Sequence, residues 1–142
     1  MGTETVTLIN AVRIDDSPTS YTSRWVDVGG FGKMSLALNT TKTGAPTNVT
    51  YTVESNIGAT KLATDADGNV GPSDGTAVAL DVLLATGGSD APVASVVATA
   101  TAAAWLTFPP GFVTKWLRVK AVGAGTTGAA YFDCTAVLFG QG

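Results

Sequence analysis

Apolar and polar residues alternate along much of this chain. The clearest case is a six-residue run in which Val49, Tyr51 and Val53 alternate with Thr50, Thr52 and Glu54. Successive side chains of a β-strand point to opposite faces, so this pattern predicts a strand with one buried face. A second case lies near the C-terminal end, where Phe132, Cys134, Ala136 and Leu138 alternate with Tyr131, Asp133, Thr135 and Val137. The pattern predicts a last strand with an apolar inner face.

Similar runs recur along the chain and are separated by clusters of Gly, Pro, Asp, Asn and Ser. Counting them predicts roughly eight to ten strands with no alternating helices, which is typical of all-β domains. The stretch 98–104 is rich in Ala and is compatible with a short helix, but its repeated Thr residues favour a strand. We therefore predict a single all-β domain over residues 1–142, an antiparallel β-sandwich of jelly-roll type.

Residues 56–76 interrupt the strand pattern and predict a long loop or a weakly paired hairpin. Within this segment Asp65, Asp67 and Asn69 place oxygen-bearing side chains at alternate positions, as calcium-binding loops do. The twelfth position of such a loop is Thr76, where an EF-hand needs a bidentate Glu. A tight Asp-Gly-Asn turn without an ion accounts for the same residues and is the favoured interpretation.

The composition restricts the chemistry that the chain can perform. It contains no His, so Ser-His-Asp and Cys-His catalysis are excluded. Its single cysteine, Cys134, follows the acidic Asp133 and is expected to be a small core residue rather than a nucleophile. Carboxylate-pair hydrolysis is the main remaining enzymatic alternative, and no pair of acidic residues is marked for it. We therefore expect a protein that is not an enzyme and uses no cofactor.

Charge and hydropathy indicate which partners are expected. Eight Lys and Arg residues stand against eleven Asp and Glu residues, so the net charge is −3 and the basic patch needed to bind nucleic acid is missing. No run of about 18 apolar residues is present to cross a membrane, and the first residues lack the features of a signal peptide. The sequence predicts a protein made in a cytoplasm, without nucleic-acid or membrane partners.

The three tryptophans are candidate interface residues because Trp often anchors protein contacts. All three lie in or beside apolar strands, where core packing is the usual outcome. Strand alternation places Trp25 on the same face as Asp27, and Trp116 on the same face as Arg118, so these two are predicted to lie on outer faces. The interface residues predicted from the sequence are Trp25, Phe31, Trp116, Arg118 and Tyr131, together with the 56–76 segment.

Two segments carry a resemblance to a known class of proteins. Arg24-Trp25-Val26-Asp27-Val28-Gly29-Gly30-Phe31, followed by Met34-Ser35-Leu36-Ala37-Leu38, resembles small β-rich virion proteins of tailed bacteriophages. The segment from Trp116 to Gly123, with the Gly/Thr turn and the strand that closes at Leu138-Phe139-Gly140, looks like the last hairpin of such proteins. The two segments cover about a third of the chain.

The resemblance implies a capsid decoration (cement) protein that clamps neighbouring capsid subunits of a phage head. Its implied partners are copies of itself, with a trimer favoured, and the major capsid protein, and its implied location is the virion. Tail, neck and fibre components of tailed phages are also small β-rich proteins of this kind. A tail or fibre component that binds a carbohydrate or receptor through Trp and Tyr is therefore the alternative function.

Overall fold

The structure is a computed structural model that describes residues 3–85, 90–109 and 114–142. These residues form strands joined by turns and contain no helix. The strands are β1 Thr3–Ile14, β2 Ser20–Thr22, β3 Val26–Asp27, β4 Lys33–Thr43, β5 Asn48–Ile57, β6 Leu62–Thr64, β7 Val70–Pro72, β8 Thr76–Ala79, β9 Val82–Ala85, β10 Asp90–Val93, β11 Val96–Ala98, β12 Ala102–Thr107, β13 Trp116–Ala124 and β14 Tyr131–Gln141. Within the described ranges, therefore, no helix is available that could cross a lipid bilayer.

The strands pair into two antiparallel sheets that pack face to face. Sheet A has the order β1-β14-β4-β12-β9-β10, and sheet B has the order β11-β5-β13-β2, with β3 also paired to β13 and β8 to β5. The chain crosses repeatedly between the sheets, and the first strand pairs with the last. This is the strand order of a jelly roll, in which two Greek keys interlock. The all-β, single-domain sandwich predicted from the sequence is confirmed.

The core lies between the sheets and is built from the inward positions predicted by the alternation. On β14 the residues Phe132, Cys134, Ala136 and Leu138 are fully buried. From sheet B, Leu117 and Val119 of β13 and Val49, Tyr51 and Val53 of β5 face them. Each buried Val, Leu or Phe side chain contributes about 1.5–3 kcal/mol relative to an exposed one. The sandwich is therefore held together by apolar burial between the sheets.

In strand β1 the alternation of buried and exposed side chains is interrupted by two irregularities in its pairing with β14. Its pairing with β14 shifts register between Thr7 and Ile9 and again between Ile9 and Val12. As a result Leu8 and Ile9, although adjacent, are both buried. Ala11, in the second irregularity, has a positive φ of 49°. Bulges of this kind let one long strand keep its apolar side chains inward while the strand bends.

The stretch 98–104 contains no helix, but it is not one strand either, because Thr99 and Thr101 lie in the bend between two strands that belong to different sheets. Strand β11 pairs with β5 in sheet B, and β12 pairs with β4 and β9 in sheet A. Residues 99–101 connect them and carry the chain from one sheet to the other. The division follows from the jelly-roll course of the chain.

The last two long strands do not form the hairpin that the resemblance implied. Strand β13 lies in sheet B and β14 lies in sheet A, so the Gly/Thr turn between them is a connection between sheets. A turn signal between two alternating runs is equally compatible with a hairpin and with such a connection. The prediction of a last hairpin is therefore wrong.

Candidate interaction surfaces

The outer side of sheet B carries a charged and aromatic cluster formed by Glu54, Arg118 and Trp25. Glu54 and Arg118 are register partners on β5 and β13, and the guanidinium Nε donates to the carboxylate Oε1 at 2.8 Å. The guanidinium carbon also lies 4.2 Å from the centroid of the Trp25 ring. With only 15% of Glu54 and 25% of Arg118 exposed, the pair is partly withdrawn from water. Both charges are thus neutralised within the chain.

Trp25 reaches this position because the strand before it is interrupted. Between β2 and β3, the backbone N–H of Ser23 donates to the carbonyl of Val119 at 2.9 Å, and the Ser23 hydroxyl accepts the N–H of Val119, also at 2.9 Å. The buried Ser23 hydroxyl thereby replaces a backbone partner at the break in the strand. The chain leaves the ladder for three residues and places the half-buried Trp25 beside Arg118.

The 56–76 segment folds back over Trp25. It contains the β6–β7 hairpin, and Gly71 of that hairpin lies so close that a Cβ there would come within 3.3 Å of the Trp25 Cβ. The base of the hairpin is held by Asp74, which accepts the Thr60 hydroxyl at 2.6 Å and the backbone N–H groups of Thr60 and Lys61 at 2.8 and 2.9 Å. These bonds, that of the Thr60 hydroxyl first, lower the pKa of Asp74. Leu62 and Val70 remain exposed on the hairpin.

The tip of the hairpin contains the three candidate metal ligands Asp65, Asp67 and Asn69. The Asp65 Oδ1 accepts the backbone N–H groups of Asp67 and Asn69, both at 2.9 Å, and Gly68 has a φ of 84°. These backbone bonds, Asn69 first, lower the pKa of Asp65. The described residues bring no group of three or more acidic, His or Cys side chains together as metal ligands. The Asp65 carboxylate is occupied in organising the turn.

Trp116 lies on the outer side of β13 by alternation, but only 7% of it is exposed. The Lys115 ammonium lies 5.5 Å from the centroid of its ring and 3.3 Å from the Asp27 carboxylate. Asp27 is the register partner of Trp116 on β3. The tryptophan is therefore enclosed by its own chain, beside an exposed ion pair.

Of the other two predicted interface residues, Phe31 lies in the connection between β3 and β4, and Tyr131 begins β14 of sheet A. The half-buried Phe31 ring covers the backbone of Gly140, where a Cβ would collide with it. Tyr131, at the start of β14, has the Arg13 guanidinium 3.8 Å from its ring centroid. Arg13 also lies 3.8 Å from Asp133. Each of the five predicted residues therefore has close partners within the chain, and they are divided between the two sheets.

The outer side of sheet A has a different character. On β1, β14, β4 and β12, between the row of Lys33 and the row of Asp133, it presents side chains that carry no charge. We call this surface the sheet A face; its residues are Thr5, Thr7, Ser35, Ala37, Asn39, Ala103, Trp105, Thr107, Thr135, Val137 and Phe139. Trp105 is 45% exposed, and its ring centroid lies 5.6 Å from that of Phe139 with the planes tilted by 33°.

Trp105 is the tryptophan for which the sequence suggested core packing, and the structure places it outside. On β12 the inward position belongs to Leu106, which is fully buried, so its neighbour Trp105 must point outward. In the sequence, Trp105 lies between the apolar residues Ala104 and Leu106. A run of apolar residues shows no alternation, however, and it does not reveal which of two adjacent large residues faces the core.

A cleft of about 500 Å³ opens between the sheets beside β11 and β12. Its lining includes Tyr51, whose hydroxyl is hydrogen-bonded to the Thr40 hydroxyl at 2.7 Å, and several alanines between 98 and 104. Burial raises the pKa of the Tyr51 hydroxyl, and burial likewise raises the pKa of the Cys134 thiol. Both groups are therefore neutral at physiological pH, and the fully buried Cys134 lies in the core, as expected from the sequence.

Comparison with known proteins shows similarity at the level of structure. No family model matches the chain, and no curated protein matches it in sequence. Among solved structures, the chain is similar to the SPBc2 prophage-derived protein YomS, with 11% sequence identity and a TM-score of 0.45. The alignment covers 97% of this chain and 93% of that one. Function has to be inferred from the surfaces of the molecule itself.

Proposed function

We propose that this chain is a structural protein of a phage virion, a capsid decoration protein that oligomerises and stabilises the head by binding capsid subunits. The proposal combines the resemblance carried by the segment Arg24–Phe31 with the surfaces described above. Its partners would be further copies of the chain and the major capsid protein. The resemblance implies a trimer on the capsid.

The observation that carries the proposal is the sheet A face. A broad sheet surface with an exposed Trp beside a half-buried Phe and no charged side chain is unusual for a face that meets only water. Exposed aromatic residues on an uncharged surface are typical of the central part of protein interfaces. The face supports a protein whose task is contact with other proteins.

The hairpin offers a second region of contact. Its exposed Leu62 and Val70 stand on a two-stranded extension that is held at its base by Asp74. Contacts through such a hairpin and through the sheet A face would each be modest. When several linked copies bind one shell, the first contact holds the other copies close to their binding sites at a high effective concentration. The combined affinity then exceeds that of any single contact, and this avidity stabilises the shell.

The distribution of aromatic residues favours decoration over the alternative of a sugar-binding tail or fibre module. Stacking on a sugar chain requires aromatic rings gathered on one concave face. Here Trp25 belongs to sheet B, Trp105 and Phe139 belong to sheet A, and Trp116 is buried. We also propose that the protein has no catalytic role. In support, Glu54 is paired with Arg118, while Asp65 and Asp74 hold backbone turns.

The proposal is tested by co-sedimentation of the purified chain with empty heads of the phage or prophage that encodes it. We expect the chain to pellet with these heads at a fixed ratio to capsid subunits and to raise the temperature at which the heads disrupt. Heads of an unrelated phage serve as the control and should leave the chain in the supernatant. A chain that ignores its own heads but is retained on a glycan array would overturn the proposal in favour of receptor binding.

A further inference from the structure

We propose that a second copy of this chain covers the sheet A face, with the two sheets packed face to face around a two-fold axis. The inference rests on the proposed function, since it names the partner of a surface already assigned to protein contact. It also goes further, because it selects self-association through this face over direct contact of the face with the capsid.

Charge is the first argument for a second copy. Each chain carries a net charge of −3, and any charged group that a second copy covers has to be taken out of water, which costs free energy. The outer side of sheet B carries the charged pairs Glu54–Arg118 and Asp27–Lys115 and the exposed Lys120. The side chains of the sheet A face are uncharged. Of the two outer faces, sheet A is the one that an identical chain can cover without burying a charged side chain.

The ends of the sheet A face carry the charges nearest to it. Lys33 and Gln141 lie in the row at one end, while Arg13, Asp133 and Thr41 lie in the row at the other, where Arg13 is 3.8 Å from Asp133. If the two-fold axis runs across the strands, the strands of the second copy point the opposite way. Lys33 of each copy then approaches the Asp133 end of the other. Because Arg13 balances Asp133, that end has no excess charge to repel Lys33, and the rim tolerates a second copy in this register.

The size of the face meets the requirement for a specific contact. Between the rows of Gln141 and Asp133 the face is about 27 Å long at about 3.4 Å per residue, and four strands make it about 20 Å wide. Two such faces bury roughly 1,100 Å² in total, just above the approximately 1,000 Å² expected of a biological interface. The resulting dimer is weak in dilute solution and is favoured when copies are concentrated on a shell.

A two-fold contact of this kind closes after two copies. The same patch is used on both chains, so no equivalent surface is left for a third copy. The inference therefore predicts a dimer through the sheet A face, whereas the resemblance implies a trimer.

Sedimentation velocity over a wide range of protein concentration tests the inference with two variants and one control. Ala37→Lys places a charge at the middle of the face, between the register partners Val137 and Trp105. Trp105→Thr removes the exposed ring and keeps a residue that suits a strand. Val122→Lys is the matched control, since Val122 is also an exposed aliphatic residue in a strand but belongs to sheet B. Circular dichroism confirms that each variant is folded.

We expect the wild-type chain and Val122→Lys to dimerise with the same dissociation constant. Ala37→Lys and Trp105→Thr should each weaken the dimer at least about tenfold, as the loss of a central anchor does. A wild-type chain that stays monomeric, one that forms a trimer, or variants that dimerise like the wild type would each overturn the inference.

Co-sedimentation of the same variants with empty heads separates this result from the proposed function. A monomeric Ala37→Lys chain that still binds heads, more weakly than the wild type, is expected and supports both statements. A variant that dimerises normally but loses its binding to heads would assign the face to the capsid, which overturns the inference and leaves the proposed function standing. Failure of every form to bind heads would instead contradict the proposed function.

Discussion

The two outer faces of this sandwich use similar residues in opposite ways. On sheet B, Trp25 is stacked on Arg118, Arg118 is paired with Glu54, and a hairpin lies over the tryptophan. On sheet A, Trp105 touches Phe139 and is 45% exposed. Both tryptophans point away from the core. One of them stabilises its own chain, and the other is available to another chain.

This difference shows what decides the role of an aromatic residue on the outer side of a strand. Alternation assigns the side chain to a face, but it carries no information about what lies over that face. On sheet B the cover of Trp25 comes from Gly71, which lies 46 positions further along the chain. Arg118, which neutralises Glu54, lies 64 positions from it in sequence. Only the fold brings these groups together.

The largest effect that tests the comparison is expected from Arg118→Ala. This change leaves the Glu54 carboxylate without its partner in a partly buried site and removes the group stacked on Trp25. We expect a loss of about 2 kcal/mol in the free energy of unfolding, measured by chemical denaturation. Lys120→Ala, on the exposed outer side of the same strand, is the control and should change stability by less than about 0.5 kcal/mol. Equal losses in both variants would show that the cluster does not hold sheet B together.

A smaller, local effect is expected from Asp74→Ala at the base of the hairpin. The change removes the acceptor of the Thr60 and Lys61 backbone N–H groups, so the exchange of these two amides with solvent should become several-fold faster. Hydrogen exchange followed by NMR measures it. Asp67→Ala, at the exposed tip of the hairpin, should leave both rates unchanged. Unaltered exchange in Asp74→Ala would mean that other contacts hold the hairpin in place.

The same anchor gives a pH dependence with a definite sign. Hydrogen bonds lower the pKa of Asp74 in the folded chain. A carboxyl group with a lowered native pKa contributes stability above its unfolded pKa of about 3.9, and that contribution is lost as the pH falls through the lower native value. The Thr60 and Lys61 amides of the wild type should therefore be protected at neutral pH and lose that protection only in acid. The Asp74→Ala chain should lack this transition.

The smallest effect on stability is expected from Trp105→Thr, measured on the dilute, monomeric chain. The ring loses its contact with Phe139 and little else, so the free energy of unfolding should fall by less than about 1 kcal/mol. Trp25→Thr should cost clearly more, because Trp25 contacts both Arg118 and the hairpin. Reversal of this order would mean that the sheet A face is needed for folding of the single chain and is not reserved for a partner.

Several features of the fold could be predicted from the sequence because they depend on neighbouring residues. The inward residues of β5 and β14 follow directly from their alternation. The all-β class followed from the number of such runs, whereas the strand predicted over 98–104 is broken at residues 99–101. Each of these signals is local, since a pleated strand alternates its side chains whichever sheet it joins.

The surfaces could be predicted only in part. Trp25 and Arg118 were correctly associated with an outer face, but the hairpin over Trp25 depends on contacts from another part of the chain. Trp105 was missed because Ala104, Trp105 and Leu106 form an unbroken apolar run, and only pairing with β4 decides which of them faces the core. The last hairpin was predicted wrongly because a turn signal does not specify the sheet of the following strand.

The sequence by itself determined that this chain is a β-protein, which residues its strands bury, and that histidine-dependent catalysis is beyond it. The tertiary structure decided which strands share a sheet, which outer face is covered, and which tryptophan is exposed. The physical reason is that strand formation and alternation depend on residues a few positions apart. The covering of a face depends on pairing and packing between segments that are distant in sequence, such as Glu54 with Arg118 or Trp25 with Gly71.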